Sequence, residues 1–252
     1  MAEVQFLEGP DGRRLAYAKT GGRGPGVVFL GGFKSDMEGT KAIYLEDWAQ
    51  ATGRAFLRFD YSGHGQSSEA FTDGAIGDWA ADAMAVISAV TEGPQVLVGS
   101  SMGGWISLLV ARAMPEHVAG MVTIAAAPDF TEDSMWAGFD DAQRTSLEAE
   151  GQVALPSDYG EPYIITKRLI EDGRRHLVLR DELKLPFPVR SMQGTDDADV
   201  DMSVALRLLD HAQSPDMRLT LVDGADHRFS EPDCLALITD AVEEVLTRIG
   251  AW

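Results

Sequence analysis

The stretch Val96-Leu97-Val98-Gly99-Ser100-Ser101-Met102-Gly103-Gly104 constrains this chain most. An apolar run of strand character enters it, and Trp105-Ile106-Ser107-Leu108-Leu109-Val110 leaves it with helical character. Gly99-Ser100-Ser101-Met102-Gly103 is a Gly-x-Ser-x-Gly pattern in a strand–turn–helix setting, and the setting gives those letters their meaning. A sharp turn at Ser101 lifts its hydroxyl above the sheet edge. Strand and helix can close on each other there only if the residues two positions either way lack a Cβ. The first N–H groups of the helix then point at charge forming near the hydroxyl.

The rest of the chain reads as the scaffold for that turn. Val4–Leu7 and Arg14–Lys19 alternate around Gly9-Pro10-Asp11-Gly12, which predicts an antiparallel hairpin at a sheet edge. Val27–Leu30, Ala55–Phe59, Val96–Val98 and Ala119–Ala127 are apolar without alternation, as strands buried on both faces are. Helices are predicted over Ala42–Ala51, over Ile76–Val90 and from the turn to Ala113. Buried strands separated by helices predict a mostly parallel sheet covered on both faces, with reactive groups at the carboxyl ends of the strands. The glycines at 31–32, 63–65 and 99–104 fall there.

Residues 129–186 break this rhythm with helical fragments rich in Met, Trp and Phe, a loop at Pro156–Gly160 and a helical pattern over Tyr163–Asp172. They are expected to form a helical lid inserted into a core made of residues 1–128 and 187–252. The core resumes at Val189–Gln193, followed by the loop Gly194–Asp199, a helix over Ser203–His211 and a last strand over Met217–Val222. Ser230-Glu231-Pro232-Asp233 opens the closing helix with a capping-box pattern and a first-turn proline.

Composition excludes more than it selects. The 252 residues suffice to bury roughly three quarters of the unfolded surface. Forty acidic against 21 basic residues give a net charge of −19, which argues against nucleic acid and anionic membranes as partners. No apolar run is long enough to span a membrane and no leader pattern stands at Met-Ala-Glu-Val. The lone Cys234 fits a reducing compartment and a small core residue, so a cytoplasmic location is the expectation. Dinucleotide and P-loop fingerprints are missing, and no cofactor or metal is expected.

A serine hydroxyl needs a base to take its proton. Of His64, His117, His176, His211 and His227, the last stands just beyond the last core strand, in the Ser…Asp…His order of this architecture. The orienting acid is open between Asp196 and Asp197 on the loop after Met192, with Asp129 a further candidate. Asp199 and Asp201 read as surface charge or helix caps, and Asp60 as an acceptor within its own turn. The N–H groups of Met102 and Phe33 are the natural oxyanion donors. Phe33, Met102, Trp105 and the lid residues Phe130, Met135, Trp136 and Phe139 suggest an apolar substrate pocket, with core packing the alternative role for the aromatics.

At this point the residues resemble the α/β-hydrolase superfamily over essentially the whole chain. Gly39-Thr40-Lys41-Ala42, Arg58-Phe59-Asp60-Tyr61-Ser62-Gly63 and Gly99–Trp105 bring it closer to one branch, as do Pro156-Ser157 with Tyr159 and Asp226-His227-Arg228. That branch holds the mitochondrial acyl-protein thioesterase that also hydrolyses acyl glucuronides, together with bacterial relatives. The resemblance implies an eight-stranded, mostly parallel sheet, helices on both faces and a helical lid insert. It puts the nucleophile on Ser101 and the base on His227. The family's acid loop, His-Gly-x-x-Asp, aligns with Gln193-Gly194-Thr195-Asp196-Asp197 and selects Asp197. Gln193 and Gly31 stand where histidines are usual, and Asp201 where a proline is.

The implied chemistry is hydrolysis of a carboxylic ester or thioester on an acylated small molecule or protein, through an acyl-enzyme. A small-molecule carboxylesterase is the alternative, as is cleavage of a carbon–carbon or peptide bond by the same triad. Arg174-Arg175-His176 would meet an anionic substrate if it faced inward, and water otherwise. Dehalogenation is disfavoured because the turn carries serine rather than a carboxylate, and a retired scaffold because serine, histidine and acid are all kept.

Overall fold

The computed structural model describes residues 2–156 and 162–251. In chain order the strands are β1 (Val4–Glu8), β2 (Arg14–Thr20), β3 (Arg23–Leu30), β4 (Arg54–Phe59), β5 (Gln95–Ser100), β6 (Val118–Ile124), β7 (Gln152–Leu155), β8 (Tyr163–Thr166), β9 (Leu183–Lys184), β10 (Val189–Gly194), β11 (Ala212–Gln213) and β12 (Met217–Val222). The helices are α1 (Thr40–Thr52), α2 (Ile76–Val90), α3 (Met102–Ala113), α4 (Asp141–Glu150), α5 (Lys167–Arg175), α6 (Met202–His211) and α7 (Pro232–Arg248). Eight strands form one sheet in the order β1-β2-β4-β3-β5-β6-β10-β12. Only β2 runs against the others, pairing antiparallel with both β1 and β4. This is the α/β-hydrolase fold.

The unalternating strands are read correctly as buried on both faces. Val28, Leu30 and Leu97 pack with α2 and α3 on one side, around Trp79 and Trp105. Val27, Phe29, Val96 and Val98 pack with α1 and α7 on the other. Each such Val, Leu or Phe withdrawn from water contributes about 1.5–3 kcal/mol, which is why neither helical layer can peel away from the sheet. Cys234 is buried in the α7 layer, as a small core residue would be.

Register then assembles the reactive edge. Leu30 pairs with Gly99, Ser100 with Ile124 and Met192 with Ile124, so β3, β5, β6 and β10 finish near one another. Their following loops share one rim of the sheet.

Local differences from the sequence expectation have physical reasons. The strand expected to start at Val27 begins at Arg23, with a register shift before Val27. The helix expected over Tyr163–Asp172 starts at Lys167. The β-branched Ile164-Ile165-Thr166 run pairs as β8 with β7, and Thr166 accepts the Leu169 N–H at 3.1 Å as the helix cap. The capping box at Ser230 does not form. Pro232 sets the first helical residue, Glu231 becomes the N-cap without a side-chain bond, and Ser230 donates to Arg228 O instead. The insert is a lid-like set of extra helices carrying a π-helical turn (Thr131–Trp136) and the β7–β8 hairpin. Ser157, Tyr159 and Gly160 of the expected lid loop lie outside the described residues.

Candidate active site

The turn at Ser101 has the geometry its glycines require. Ser101 sits at φ 55°, ψ −119°, a conformation that costs a residue with a Cβ about 1–3 kcal/mol. Its N–H donates to Ile124 O at 2.9 Å, and its carbonyl accepts from Gly104 and Ala127. A Cβ on Gly103 would stand 2.0 Å from Leu30 O, and one on Gly99 2.4 Å from Gly103 O. Close approach of backbones, not unusual dihedrals, therefore dictates both glycines. The Ser101 hydroxyl caps no N–H of α3 and is left for other chemistry.

That hydroxyl donates to His227 Nε2 at 3.1 Å, and His227 Nδ1–H donates to Asp197 Oδ2 at 2.9 Å. Asp197 also accepts from Gln193 Nε2 (2.8 Å) and from the Val200 and Asp199 N–H groups (2.8 and 2.9 Å). Burial opposes its charge, but the His227, Val200 and Gln193 bonds prevail and hold the carboxyl below its ordinary range. Gln193, fully buried in β10, thus holds the Asp197 carboxylate in place, a contact the sequence reading missed. Asp196, the competing carboxylate, is exposed, and its N–H bonds Ala225 O. Asp129 is buried elsewhere, accepting from the Val178 and Leu179 N–H groups and from Arg180 (2.8, 3.0 and 3.1 Å). It clamps the insert to the end of β6.

Asp197, Asp199 and His227 bring one possible ligand atom each within 4.8 Å of one another. Both Asp197 oxygens and both His227 nitrogens are engaged in the hydrogen bonds above.

The histidine loop is held on its outer side. Asp226 Oδ1 accepts the Phe229 N–H, and Lys41 Nζ donates to Arg228 O. Burial pulls Lys41 down to about 8 against the attraction of Asp226. The other histidines stand apart from Ser101. His211 bonds Asp181 O, His176 bonds Asp172, and His117 lies beside Glu116. Buried His64 lies between Ser62 O and the Lys34 N–H. Asp60 accepts the Gln66 N–H within its turn and the Met37 N–H from the neighbouring loop.

Ser101 and His227 open into a cleft of about 700 Å³. Phe33, Phe130, Met135, Leu155 and Tyr163 supply its apolar wall, and Lys34, Lys41, Asp133, Asp201 and Ser203 are among its polar lining. Of the sequence-nominated pocket residues, Phe130 and Met135 line this cleft. Trp105, Trp136 and Phe139 lie away from it. Trp105 is fully buried, with Nε1 donating to His176 O. Trp136 lies under Arg174 and Arg144 and against Phe139. Leu155 and Tyr163 are cleft residues the sequence reading missed; the β-branched Ile164-Ile165-Thr166 run, which marks a strand here, was the available signal. The Arg174-Arg175-His176 cluster is spent within the insert, on Glu132 and Asp172. Asp201 caps α6 through the Ser203 N–H, as a helix-start acid should.

The Phe33 N–H and the Met102 N–H flank Ser101 from two strand ends. Gly32 approaches so closely that a Cβ there would touch Ser101 Cβ at 3.4 Å. Among the described residues no acceptor is bonded to either N–H.

Comparison with known proteins agrees with this architecture. A family model of the alpha/beta hydrolase fold matches residues 29–175. The rat protein "Palmitoyl-protein thioesterase ABHD10, mitochondrial" is 33% identical over 249 residues, covering 98% of this chain and 84% of its own. A crystal structure of a protein described only as a hydrolase, from Agrobacterium vitis S4, superposes with a TM-score of 0.93 at 38% identity, covering 97% of this chain and 99% of that one. Mouse alpha/beta hydrolase domain-containing protein 10 gives 0.91 at 32%, covering 98% and 100%. These relatives overturn the cytoplasmic expectation: the rat protein and its mammalian counterparts are named as mitochondrial. The first residues of the sequence and a lone cysteine do not set a compartment. By sequence and by fold, the chain belongs to the α/β-hydrolase superfamily and is closely related to its ABHD10-like acyl-thioesterase branch.

Proposed function

We propose that this chain hydrolyses carboxylic esters or thioesters through an acyl-enzyme on Ser101, with His227 as base and acid and Asp197 as its orienting carboxylate. The observation that carries the reading is the continuous relay from Ser101 Oγ through His227 to Asp197 at the edge of a cleft with one apolar wall. Ser101 Oγ bonds to the acyl carbon as its proton passes to His227 Nε2. The carbonyl electron pair moves onto oxygen, where the N–H groups of Phe33 and Met102 stabilise it. Collapse breaks the carbon–oxygen or carbon–sulfur bond, and His227 returns the proton to the departing alcohol or thiol. Water then gives a proton to His227, attacks the acyl-serine, and releases the acid with Ser101 reprotonated.

Phe130, Met135 and Leu155 offer the acyl chain an apolar surface, and the thioesterase activity for which the ABHD10 relatives are named favours a thioester. The substrate we infer is an acylated protein or carrier, with an acylated small molecule as the second reading. Turnover on matched oxygen-ester and thioester series from acetyl to palmitoyl, with Ser101→Ala as blank, separates them. A thioester preference rising with chain length is the expected result. A flat, short-chain oxygen-ester profile would select a small-molecule carboxylesterase, and no turnover above the blank would overturn the hydrolase reading.

A further inference from the structure

The Phe33 N–H is the donor whose aim its own backbone does least to fix. It follows Gly31-Gly32, where rotation is least confined. Lys34 follows at φ +56°, a left-handed conformation that a residue with a Cβ keeps only when its surroundings compensate. Ser35 N–H closes the turn on Gly32 O at 3.2 Å. Two further restraints come from a single neighbour, the loop after β4. The Tyr61 hydroxyl donates to Gly31 O at 3.3 Å, and the Lys34 N–H donates to His64 Nε2 at 3.2 Å. The peptides on either side of Gly32-Phe33 are thereby held from one place.

His64 is itself fixed. Its Nδ1–H donates to Ser62 O at 3.0 Å, which also accepts from Trp79 Nε1 at 3.1 Å. The rings of Tyr61, Phe71 and Trp79 meet it edge-on at 5.6, 5.2 and 5.2 Å, and it is 4% exposed. Burial, with Lys34 nearby, pushes its imidazole down to about 4. The ring is therefore neutral at neutral pH and keeps the Nε2 lone pair that the Lys34 N–H needs.

We propose that His64, supported by Tyr61, is a positioning residue that fixes the Lys34 peptide and so aims the Phe33 N–H at the oxyanion of the Ser101 adduct. The inference rests on the hydrolase reading above and assigns a role to a histidine outside the triad. His64 moves no proton; it acts through the peptide it holds.

Two variants test it. His64→Asn keeps a donor near the ring Nδ1 position and removes the acceptor for Lys34. His64→Gln brings a carbonyl oxygen toward the former Nε2. With active sites counted by titration, kcat of His64→Asn on an ester should fall by about 10-fold or more, while KM stays within about twofold. Fluorophosphonate labelling of Ser101 should slow by a similar factor, His64→Gln should recover most of both rates, and the acid limb of kcat/KM should stay in place because His227 is untouched. Wild-type kcat per titrated site in His64→Asn would overturn the proposal and reduce His64 to packing. So would a His64→Gln protein, folded by its melting curve, that is as slow as His64→Asn. Failure of the wild-type enzyme to turn over the ester or label at Ser101 would instead overturn the hydrolase reading beneath it.

Discussion

Asp196 and Asp197 are neighbours with the same chemistry, and direction alone separates them. Asp197 turns beneath its loop onto His227 and Gln193, whereas Asp196 is exposed. Because its folded pKa is depressed, the contribution of Asp197 is present above the ordinary carboxylate range and is lost as pH falls through the lowered value. Asp197→Asn should lower kcat by about 10⁴-fold, since the imidazole loses its orienting charge and tautomer, while Asp196→Asn should change it by less than about threefold. Steady-state turnover of the two variants checks this, and equal activity of Asp197→Asn and wild type would sink the assignment. At this scale the bonded pair of Ser101 and His227 could be anticipated, Ser101 from its local pattern and His227 from its place just beyond the last core strand. The acid was not legible from chemistry, and only the register of the family resemblance selected Asp197. The pocket aromatics were least legible. Composition marks Trp105, Trp136 and Phe139 as apolar but says nothing of which way each ring points.

Among the elements, the insert shows how a lid can be partly fixed. Asp172 of α5 accepts the Gly77 N–H at the start of α2 at 2.6 Å and also holds Arg175 and His176. Asp129 holds the chain just beyond, at Val178 and Leu179. One side of the insert is therefore pinned to the core, while Phe130, Met135, Leu155 and Tyr163 face the cleft from its other elements. The bond to Asp172 is the main cause that raises the pKa of His176. A raised folded pKa gives stability that is fully present below the unfolded value of about 6.5 and is lost as pH rises through the folded one. His176→Gln should therefore lower stability by about 1 kcal/mol at acidic pH, a modest figure because the ring is partly exposed, and by less at alkaline pH. Melting curves across that range test the sign; a gap that widened with pH would contradict it. The core elements were legible because a short uninterrupted apolar run fits a buried strand, and a 3.6-residue apolar period fits a helix with one face on the sheet. The β8 segment was not, since Tyr163–Asp172 carries both a strand and a helix start and a single window averages them.

At the scale of the whole molecule, the sheet order performs the assembly. Residues 101, 197 and 227 are far apart in sequence, yet each lies on a loop leaving the carboxyl end of β5, β10 or β12. The hairpin at the far edge braces the sheet from outside that rim, and of the two helical layers it is the first residues of α1 and α3 that reach it. A net charge of −19 repels anionic polymers at long range, but the field is screened beyond about 8 Å at physiological salt and leaves short-range selection to the cleft. Neither charge nor cysteine count encodes the compartment, and the resemblance to a branch with a mitochondrial enzyme was the signal to weigh against them. On the proposed function, Ser101 is the activated nucleophile of this rim. Fluorophosphonate labelling of the folded protein, with the modified peptide identified by mass spectrometry, tests it most directly. One phosphonyl adduct is expected, on Ser101, abolished in Ser101→Ala and strongly slowed in His227→Ala. A folded wild-type protein that stays unlabelled, or labels equally well without His227, would contradict it.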